Sequence, residues 1–319
     1  MKISDSDLRD LLTNYKLNRT GQYICDCPFC GKERHFYVSK SKQAFDCKKC
    51  GESGNIYKLL RHFNKLYLLQ GETVEQRDEL KSLKTLMSES SPASELELAE
   101  LPIIALPKGF RIVPKNRYLN SRGLTSEDIK RYGIGVVKSD DWKIDGYVII
   151  PVRDNGEIRG YVGRYGAKHV PKGRLRYSNS VGVPFGELLY GYDEIPDGAE
   201  CIILVEGCFD KFAVDRVLDL KNSDSVKCVA TFGKKISDAQ IKKLMKKGVR
   251  SVLLLYDFDA IKEMKRYGME LAKYFDVLIT YTTKKDIDEC TEEEALEVLS
   301  SGQKPADFSM SVAGKLRRK

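Results

Sequence analysis

Two apolar runs in the C-terminal half of the chain each end in acidic residues. The runs are Cys201–Val205 and Val252–Tyr256, and the acids that follow them are Glu206, Asp210, Asp257 and Asp259. Short apolar runs are typical of strands buried in a parallel sheet, and open α/β sheets build their sites beyond the carboxyl ends of such strands. Converging carboxylates repel one another unless a cation neutralises them, and Mg²⁺ prefers oxygen ligands. The pattern therefore predicts an α/β fold with a divalent-metal site. The alternative is that these acids are helix caps and solvated loop ends.

The first fifty residues contain two Cys-x-x-Cys pairs separated by sixteen residues, Cys27 with Cys30 and Cys47 with Cys50. Two intervening residues let both thiolates reach one ion, and the glycine after each pair permits a tight turn. Four thiolates close a tetrahedral shell around Zn²⁺ and leave no open position, so we predict a structural zinc site. Cys25 in place of Cys27, and His35 as a further ligand, are alternatives that stay open.

The net charge of +8 is concentrated in one part of the chain. Between Lys108 and Arg176 there are sixteen lysine and arginine residues against seven acidic ones. A basic stretch beside an acidic metal site favours nucleic acid as the partner, and a surface that serves only solubility is the alternative. We interpret Trp142 and the tyrosines as core residues rather than platforms for base stacking. The segment Thr231–Lys235 follows an apolar strand and either places a lysine near phosphate or turns the chain.

The length of 319 residues is enough for two or three domains. No apolar run reaches the length of about 18 residues that a membrane span requires, and the N-terminus lacks the apolar core of a signal peptide. We therefore expect a cytoplasmic protein without a membrane partner. The sequence pattern predicts these further elements: a helix over 4–17, a hairpin of His35–Ser39 and Gln43–Asp46, helices over 56–69 and 73–87, a flexible linker over 88–94, and strands at Tyr147–Ile150 and Ile158–Val162.

Several motifs follow one another in a recognisable order. They are the two cysteine pairs with the glycine-rich segment Gly51–Ile56, then Tyr118–Leu124, Tyr132–Gly135, Ile150–Asp154, Gly163-Arg164, Arg176–Ser180, Val205–Gly207, Asp257–Asp259 and Lys285–Glu289. This order resembles that of bacterial-type DNA primases, including the primase halves of phage replication proteins. The resemblance is collinear over nearly the whole chain. It implies an N-terminal zinc ribbon, a linker, and a two-subdomain RNA polymerase core that ends in a Toprim parallel sheet.

On this resemblance the domains are expected at the following positions: a CHC2-type zinc ribbon over 1–70, a helix and linker over 71–101, a basic subdomain over 102–198, the Toprim domain over 199–300 and a basic tail over 301–319. The chain ends soon after the Toprim region, which favours a stand-alone phage or mobile-element primase with a separate replicative helicase as a partner.

The resemblance also implies an activity and the residues that perform it. The activity is metal-dependent synthesis of short RNA primers from ribonucleoside triphosphates on single-stranded DNA. Glu206, Asp257 and Asp259 match the catalytic acids, and they would bind Mg²⁺ or Mn²⁺ together with Asp210, Asp286 and Asp288. Arg122, Arg164 and Arg176 match basic positions along the template and nucleotide groove.

The chain departs from the family pattern at several positions. Lys262 stands where the family has a glycine three residues after Asp259, and a basic residue expected near Phe185–Glu187 is missing. Two other functions remain as alternatives, a Toprim-type metal-dependent nuclease and a non-catalytic DNA-binding replication factor.

Overall fold

The computed structural model describes residues 3–63, 65, 68, 101–167, 169–282 and 286–316. These residues divide into two compact units. The first unit comprises the described residues up to 68 and the segment Glu270–Phe275, and the second comprises the rest. The predicted helix over 73–87 and the predicted linker over 88–94 lie outside the described residues.

The first unit is built on a five-stranded antiparallel sheet whose strands follow chain order. The strands are β1 (Lys16–Leu17), β2 (Gln22–Cys25), β3 (Phe36–Ser39), β4 (Ala44–Cys47) and β5 (Ser53–Asn55), and the helices are α1 (Asp5–Leu11) and α2 (Ile56–His62). Ser4 caps α1 and Asn55 caps α2, each by accepting a hydrogen bond from a backbone N–H of the first turn. The predicted hairpin is confirmed as β3 and β4. The first helix is shorter than predicted because Leu12 already has extended backbone.

The second unit contains two four-stranded sheets. The antiparallel sheet consists of β6 (Phe110–Ile112), β7 (Gly135–Val137), β8 (Tyr147–Asp154) and β9 (Glu157–Tyr165) in that order. The parallel sheet has the order β11-β10-β12-β13, with β10 (Cys201–Val205), β11 (Val226–Ala230), β12 (Ser251–Asp257) and β13 (Asp276–Thr282). The predicted α/β fold is therefore confirmed.

Seven helices accompany these sheets in the described ranges, and one of them ends in the segment Glu270–Phe275 of the first unit. They are α3 (Arg117–Ser121), α4 (Ser126–Tyr132), α5 (Cys208–Val217), α6 (Asp238–Lys246), α7 (Ile261–Leu271), α8 (Glu292–Ser300) and α9 (Pro305–Leu316). Three of them follow strands of the parallel sheet directly, since α5 follows β10, α6 follows β11 and α7 follows β12. Successive parallel strands require such crossovers. No described helix is long and apolar enough to cross a lipid bilayer.

One apolar core is shared by both sheets of the second unit. Val148 and Ile150 of β8 and Ile203 and Val205 of β10 belong to the same cluster of buried residues, as does Phe209 of α5. The two sheets fall within the predicted ranges 102–198 and 199–300, and the domain boundaries themselves remain predictions. Burial of this shared core fixes the carboxyl ends of the parallel strands, where the predicted acids lie.

A buried charged cluster adjoins this core. Lys211 of α5 is fully buried, and its ammonium lies 2.6 Å from the Asp215 carboxylate and 3.1 Å from that of Glu194. The Tyr132 hydroxyl donates a hydrogen bond of 2.6 Å to Asp215. Burying a charge is costly unless it is paired and hydrogen-bonded, and this cluster satisfies both conditions. It joins α4 to α5.

Candidate metal centres and basic surface

Four cysteines of the first unit bring their sulfur atoms together. The Sγ atoms of Cys27, Cys30, Cys47 and Cys50 all lie within 4.8 Å of one another. The separation is 3.9 Å between Cys27 and Cys50 and also between Cys30 and Cys47. Gly31 and Gly51 follow the two pairs with φ values of +66° and +74°, so each can close a tight turn that a side chain would strain. Four sulfurs at these distances fit a closed tetrahedral zinc shell.

Cys25 and His35 lie outside this cluster of four sulfurs. The Cys25 thiol is buried and donates to the Phe36 carbonyl oxygen at 3.7 Å, and burial raises its pKa to about 12. A ring nitrogen of His35, Nδ1, is 2.6 Å from the Glu33 carbonyl oxygen. Because Cys25 is absent from the four-sulfur cluster and its thiol already donates to a carbonyl oxygen, it suits packing better than ligation.

Three acids converge at the carboxyl edge of the parallel sheet. Glu206 follows β10, Asp257 ends β12, and Asp259 lies in the short turn before α7. One carboxylate oxygen from each lies within 4.8 Å of the others. The parallel pairing of β10 with β12 produces this convergence, because it sets both strand ends at one edge. We call Glu206, Asp257 and Asp259 the acidic triad.

The environment of Glu206 and Asp257 disfavours their charged forms. Burial raises the pKa of Glu206 to about 7, the Lys234 ammonium counteracts this, and the Asp257 carboxylate adds to it. Burial also raises the pKa of Asp257, while a hydrogen bond of 2.9 Å from the Thr282 hydroxyl lowers it. Glu206 Oε1 is buried without a hydrogen-bond partner among the described residues. An unpartnered buried oxygen among repelling carboxylates fits a divalent cation.

Asp210 and Asp286 lie beside the acidic triad. Asp210 accepts a hydrogen bond of 2.9 Å from the Gly207 backbone N–H and so caps the start of α5. Burial raises its pKa to about 7, and the Asp257 carboxylate contributes further. The Asp286 carboxylate acts on Asp257 by charge and by hydrogen bonding. Both acids therefore add negative charge around the triad.

Asp288 and Arg122 are brought together as an ion pair. The Asp288 side chain is only 2% exposed and contacts the Arg122 guanidinium, which also lies 3.7 Å from Glu289. The same guanidinium stacks on the Phe209 ring at 5.2 Å. Asp288 is not one of the three acids that converge in the triad. These contacts favour a packing role for both residues.

Arg164 and Arg176 lie on or beside the antiparallel sheet. Arg164 Nε donates a hydrogen bond of 3.2 Å to the Tyr118 hydroxyl, and its guanidinium stacks on Tyr177 at 4.3 Å. Arg176 donates to the carbonyl oxygens of Tyr165, at 3.1 Å, and Ala167. The structure thus gives each of these two arginines partners within the protein.

Trp142 is not a core residue, so that expectation is wrong. It lies in the turn before β8 and is 50% exposed. The Arg174 guanidinium lies 5.7 Å from the Trp142 ring and 5.2 Å from the Tyr165 ring. Arg174 and Tyr165 also line an open cavity of about 700 Å³ together with Arg117 and Tyr118. The sequence feature that could have indicated this exposed surface is the alternation of basic and aromatic residues between Tyr161 and Tyr177.

Lys234 is the cation nearest the acidic triad among the ion pairs of the described residues. Its ammonium lies 2.5 Å from Asp259 Oδ2. The hydrogen bond with Asp259 raises the pKa of Lys234, and the Glu206, Asp259 and Glu263 charges add to this effect. Lys262, at the start of α7, is exposed. Of the two sequence interpretations of Thr231–Lys235, the structure favours the lysine near the site.

Comparisons with known proteins agree with this arrangement. Residues 3–85 match the sequence family described as the CHC2 zinc finger, and with the four-sulfur cluster this match identifies a structural zinc site. The chain is 24% identical to a DNA primase of Thermotoga maritima, over 97% of this chain and 62% of that protein. It is 27% identical to a DNA primase of Legionella pneumophila, over 81% of this chain and 50% of that protein.

Among solved structures, the primase fragment of the bacteriophage T7 primase-helicase protein aligns with 87% of this chain and 97% of that fragment, with a TM-score of 0.46 and 15% identity. The chain spans 50% to 62% of the length of the two curated relatives named above. Over most of its own length it is similar to bacterial-type DNA primases.

Proposed function

We propose that this relative of the bacterial-type DNA primases is itself a primase, a nucleotidyltransferase that synthesises short RNA primers on single-stranded DNA. The observation that carries the proposal is the convergence of Glu206, Asp257 and Asp259 within 4.8 Å at the carboxyl edge of a parallel sheet. The zinc ribbon and the similarity to proteins named DNA primase support the same activity.

The acidic triad would hold Mg²⁺ or Mn²⁺, with Asp210 and Asp286 adding negative charge nearby. A divalent ion bound there would neutralise charge on the transferring phosphoryl group and on the departing pyrophosphate. Thr282 orients Asp257 through its hydroxyl, and the backbone of Gly207 orients Asp210. Carboxylates held in this way need little rearrangement when a metal and a nucleotide bind.

The basic subdomain would bind the template strand mainly through its phosphates. Arg164 lies on β9 and Arg176 lies beside the antiparallel sheet, and guanidinium groups can form paired hydrogen bonds with phosphate oxygens. We further propose that the zinc ribbon reads a short start sequence on the template, and that a separate replicative helicase is a partner. Under this proposal Arg122 would contribute to the groove only by exchanging its Asp288 contact for phosphate.

The test is a primer-synthesis assay with single-stranded templates, labelled ribonucleotides and Mg²⁺ or Mn²⁺. Glu206→Gln should lower the yield of short RNA by roughly a hundredfold or more, because it removes a metal ligand. Glu200→Gln is the matched control, since Glu200 is exposed at the opposite end of β10. Cleaved template without RNA would favour the nuclease, and strand binding without either product would favour the non-catalytic factor.

A further inference from the structure

The loop that carries Lys234 is fixed to the strand ends that carry the acidic triad. The Thr231 hydroxyl lies 3.1 Å from the Val205 carbonyl oxygen and 2.9 Å from the Tyr256 hydroxyl, and it is buried. The Gly233 backbone N–H donates a hydrogen bond of 3.0 Å to the Glu206 carbonyl oxygen. These hydrogen bonds attach the loop to the ends of both β10 and β12 without any contribution from Lys234.

The backbone of this loop is also strained. Phe232 has a φ of +62°, an unusual value for a bulky residue, and Gly233 has a φ of +130°. The Phe232 ring packs edge-on against Phe185 with 4.9 Å between centroids, which holds the unusual conformation. Strained backbone persists where the surrounding contacts over-determine it, and it clusters at functional sites. Lys234 directly follows these two residues.

Lys234 occupies the solvent side of the acidic triad. Its side chain is 36% exposed, and its ammonium pairs with Asp259, whose side chain is 72% exposed. The acids that face it come from three elements: Glu206 after β10, Asp259 after β12 and Glu263 in α7. The neighbouring Lys235 and Lys262 are exposed. One ammonium thus partly neutralises a cluster that would otherwise carry only negative charge.

We propose that Lys234 is an exchangeable counter-cation of this site, and this inference rests on the proposed function. Without metal it pairs with Asp259, and when a divalent ion binds the triad it transfers to a phosphate oxygen of the nucleotide. The Asp259 contact and a bound divalent ion compete for the same carboxylate, and two cations at that distance repel each other. The flexible lysine stem allows the ammonium to move to a new anion without moving the fixed loop.

The first measurement is the affinity for Mn²⁺ alone, determined by electron paramagnetic resonance. Lys234→Met should bind Mn²⁺ roughly fivefold more tightly than the wild-type protein, because the competing ammonium is gone. Lys235→Met is the matched control, since it removes the same charge from the adjacent exposed position and should change the affinity much less. Equal affinities for the two variants, or weaker binding by Lys234→Met, would overturn the proposal.

The second measurement is the affinity for ATP and for inorganic tripolyphosphate by calorimetry, with Mg²⁺ present. Lys234→Met should weaken the binding of both by roughly tenfold, and Lys234→Arg should restore most of it. A nucleotide affinity that Lys234→Met leaves unchanged would contradict the transfer to phosphate. Circular dichroism establishes that each variant is folded.

Neither measurement depends on primer synthesis, so the two proposals can fail separately. If the wild-type protein makes no primers but the variants show both affinity changes, the proposal for Lys234 stands and the primase proposal fails. If the wild-type protein makes primers but the variants show neither affinity change, the primase proposal stands and the proposal for Lys234 fails.

Discussion

At the level of single residues, burial changes the protonation of two carboxyl groups, those of Glu206 and Asp210. Each has a pKa raised to about 7, chiefly by burial and then by neighbouring carboxylates. In the unfolded chain the same groups ionise near 4.5 and 3.8. The metal-free fold therefore loses stability at these groups as the pH rises from about 4 to about 7, because the folded state binds the protons more tightly. A bound cation would remove that loss.

We predict from this that Mn²⁺ binding depends on pH. Below about pH 7 the metal must displace protons from Glu206 and Asp210, so its apparent affinity should be roughly a hundredfold weaker at pH 6 than at pH 8, about tenfold for each displaced proton. Titrations of Mn²⁺ at the two pH values check the prediction, and Asp210→Asn should reduce the difference. An affinity that is equal at both pH values would show that these carboxyls do not titrate with metal binding.

We predict that the ion pair of Asp288 with Arg122 contributes to stability and not to metal binding. Asp288→Asn should leave the Arg122 guanidinium with the more distant Glu289 as its charged partner and lower the free energy of unfolding by about 2 kcal/mol, measured by urea denaturation. Its Mn²⁺ affinity should stay close to that of the wild-type protein. The matched variant Asp286→Asn, two residues away, should show the opposite result, with weaker Mn²⁺ binding and a smaller loss of stability. If Asp288→Asn weakened Mn²⁺ binding as much as Asp286→Asn, Asp288 would be a metal ligand.

At the level of elements, the two sheets of the second unit carry different chemical groups. The parallel sheet delivers the acids, because β10 and β12 end side by side. The antiparallel sheet and its loops display arginines stacked on aromatic rings, with Trp142, Tyr165 and Tyr177 paired to Arg174 and Arg164. Stacked guanidinium and aromatic groups suit a flexible strand with charged phosphates and flat bases.

The chain contains a single tryptophan, so its fluorescence reports on this surface. We predict that single-stranded DNA quenches Trp142 emission as it binds, and that Arg174→Met weakens this binding by roughly threefold or more. Asp257→Asn should leave the quenching intact, because Asp257 belongs to the other sheet. Strand binding detected by anisotropy without any change in emission would place the template elsewhere.

Features of this site that depend on a short stretch of sequence could be predicted, and features that depend on contacts between distant residues could not. The apolar runs that became β10 and β12 are local, and their acids were placed correctly at one edge of the sheet. The pairing of Arg122 with Asp288 joins residues far apart in sequence and leaves no local pattern. Trp142 was misplaced because hydrophobicity alone does not reveal whether a second layer covers a turn. Lys234 could be assigned only once the strained loop was known.

At the scale of the whole molecule, each of the two units has its own buried core. The first unit packs residues such as Leu8, Phe36 and Leu59 around its sheet and holds the four cysteines. Small domains with modest cores commonly depend on a metal for their stability. The second unit has a larger core shared by two sheets.

Zinc removal should therefore act on the first unit. Treatment with a strong chelator that is then removed, or the substitution Cys47→Ser, should unfold the ribbon, release zinc and abolish primer synthesis. Mn²⁺ binding by the second unit should continue, because its carboxylates belong to a different core. Circular dichroism checks the unfolding, colorimetric zinc release checks the loss of metal, the primer-synthesis assay checks the activity, and Mn²⁺ titration checks the second unit. Full β-sheet ellipticity after zinc loss would show that the ribbon folds without metal.

The buried cluster around Lys211 also constrains how this sequence can diverge. Losing one partner of a buried ion pair costs about 3–5 kcal/mol, whereas replacing the whole set with apolar residues is close to neutral. Lys211 contacts both Asp215 and Glu194, and Tyr132 contacts Asp215, so the substitutions of these four residues are coupled. Among near relatives these four positions should covary, with either the complete charged set or a complete apolar one, and half-replaced intermediates should be rare.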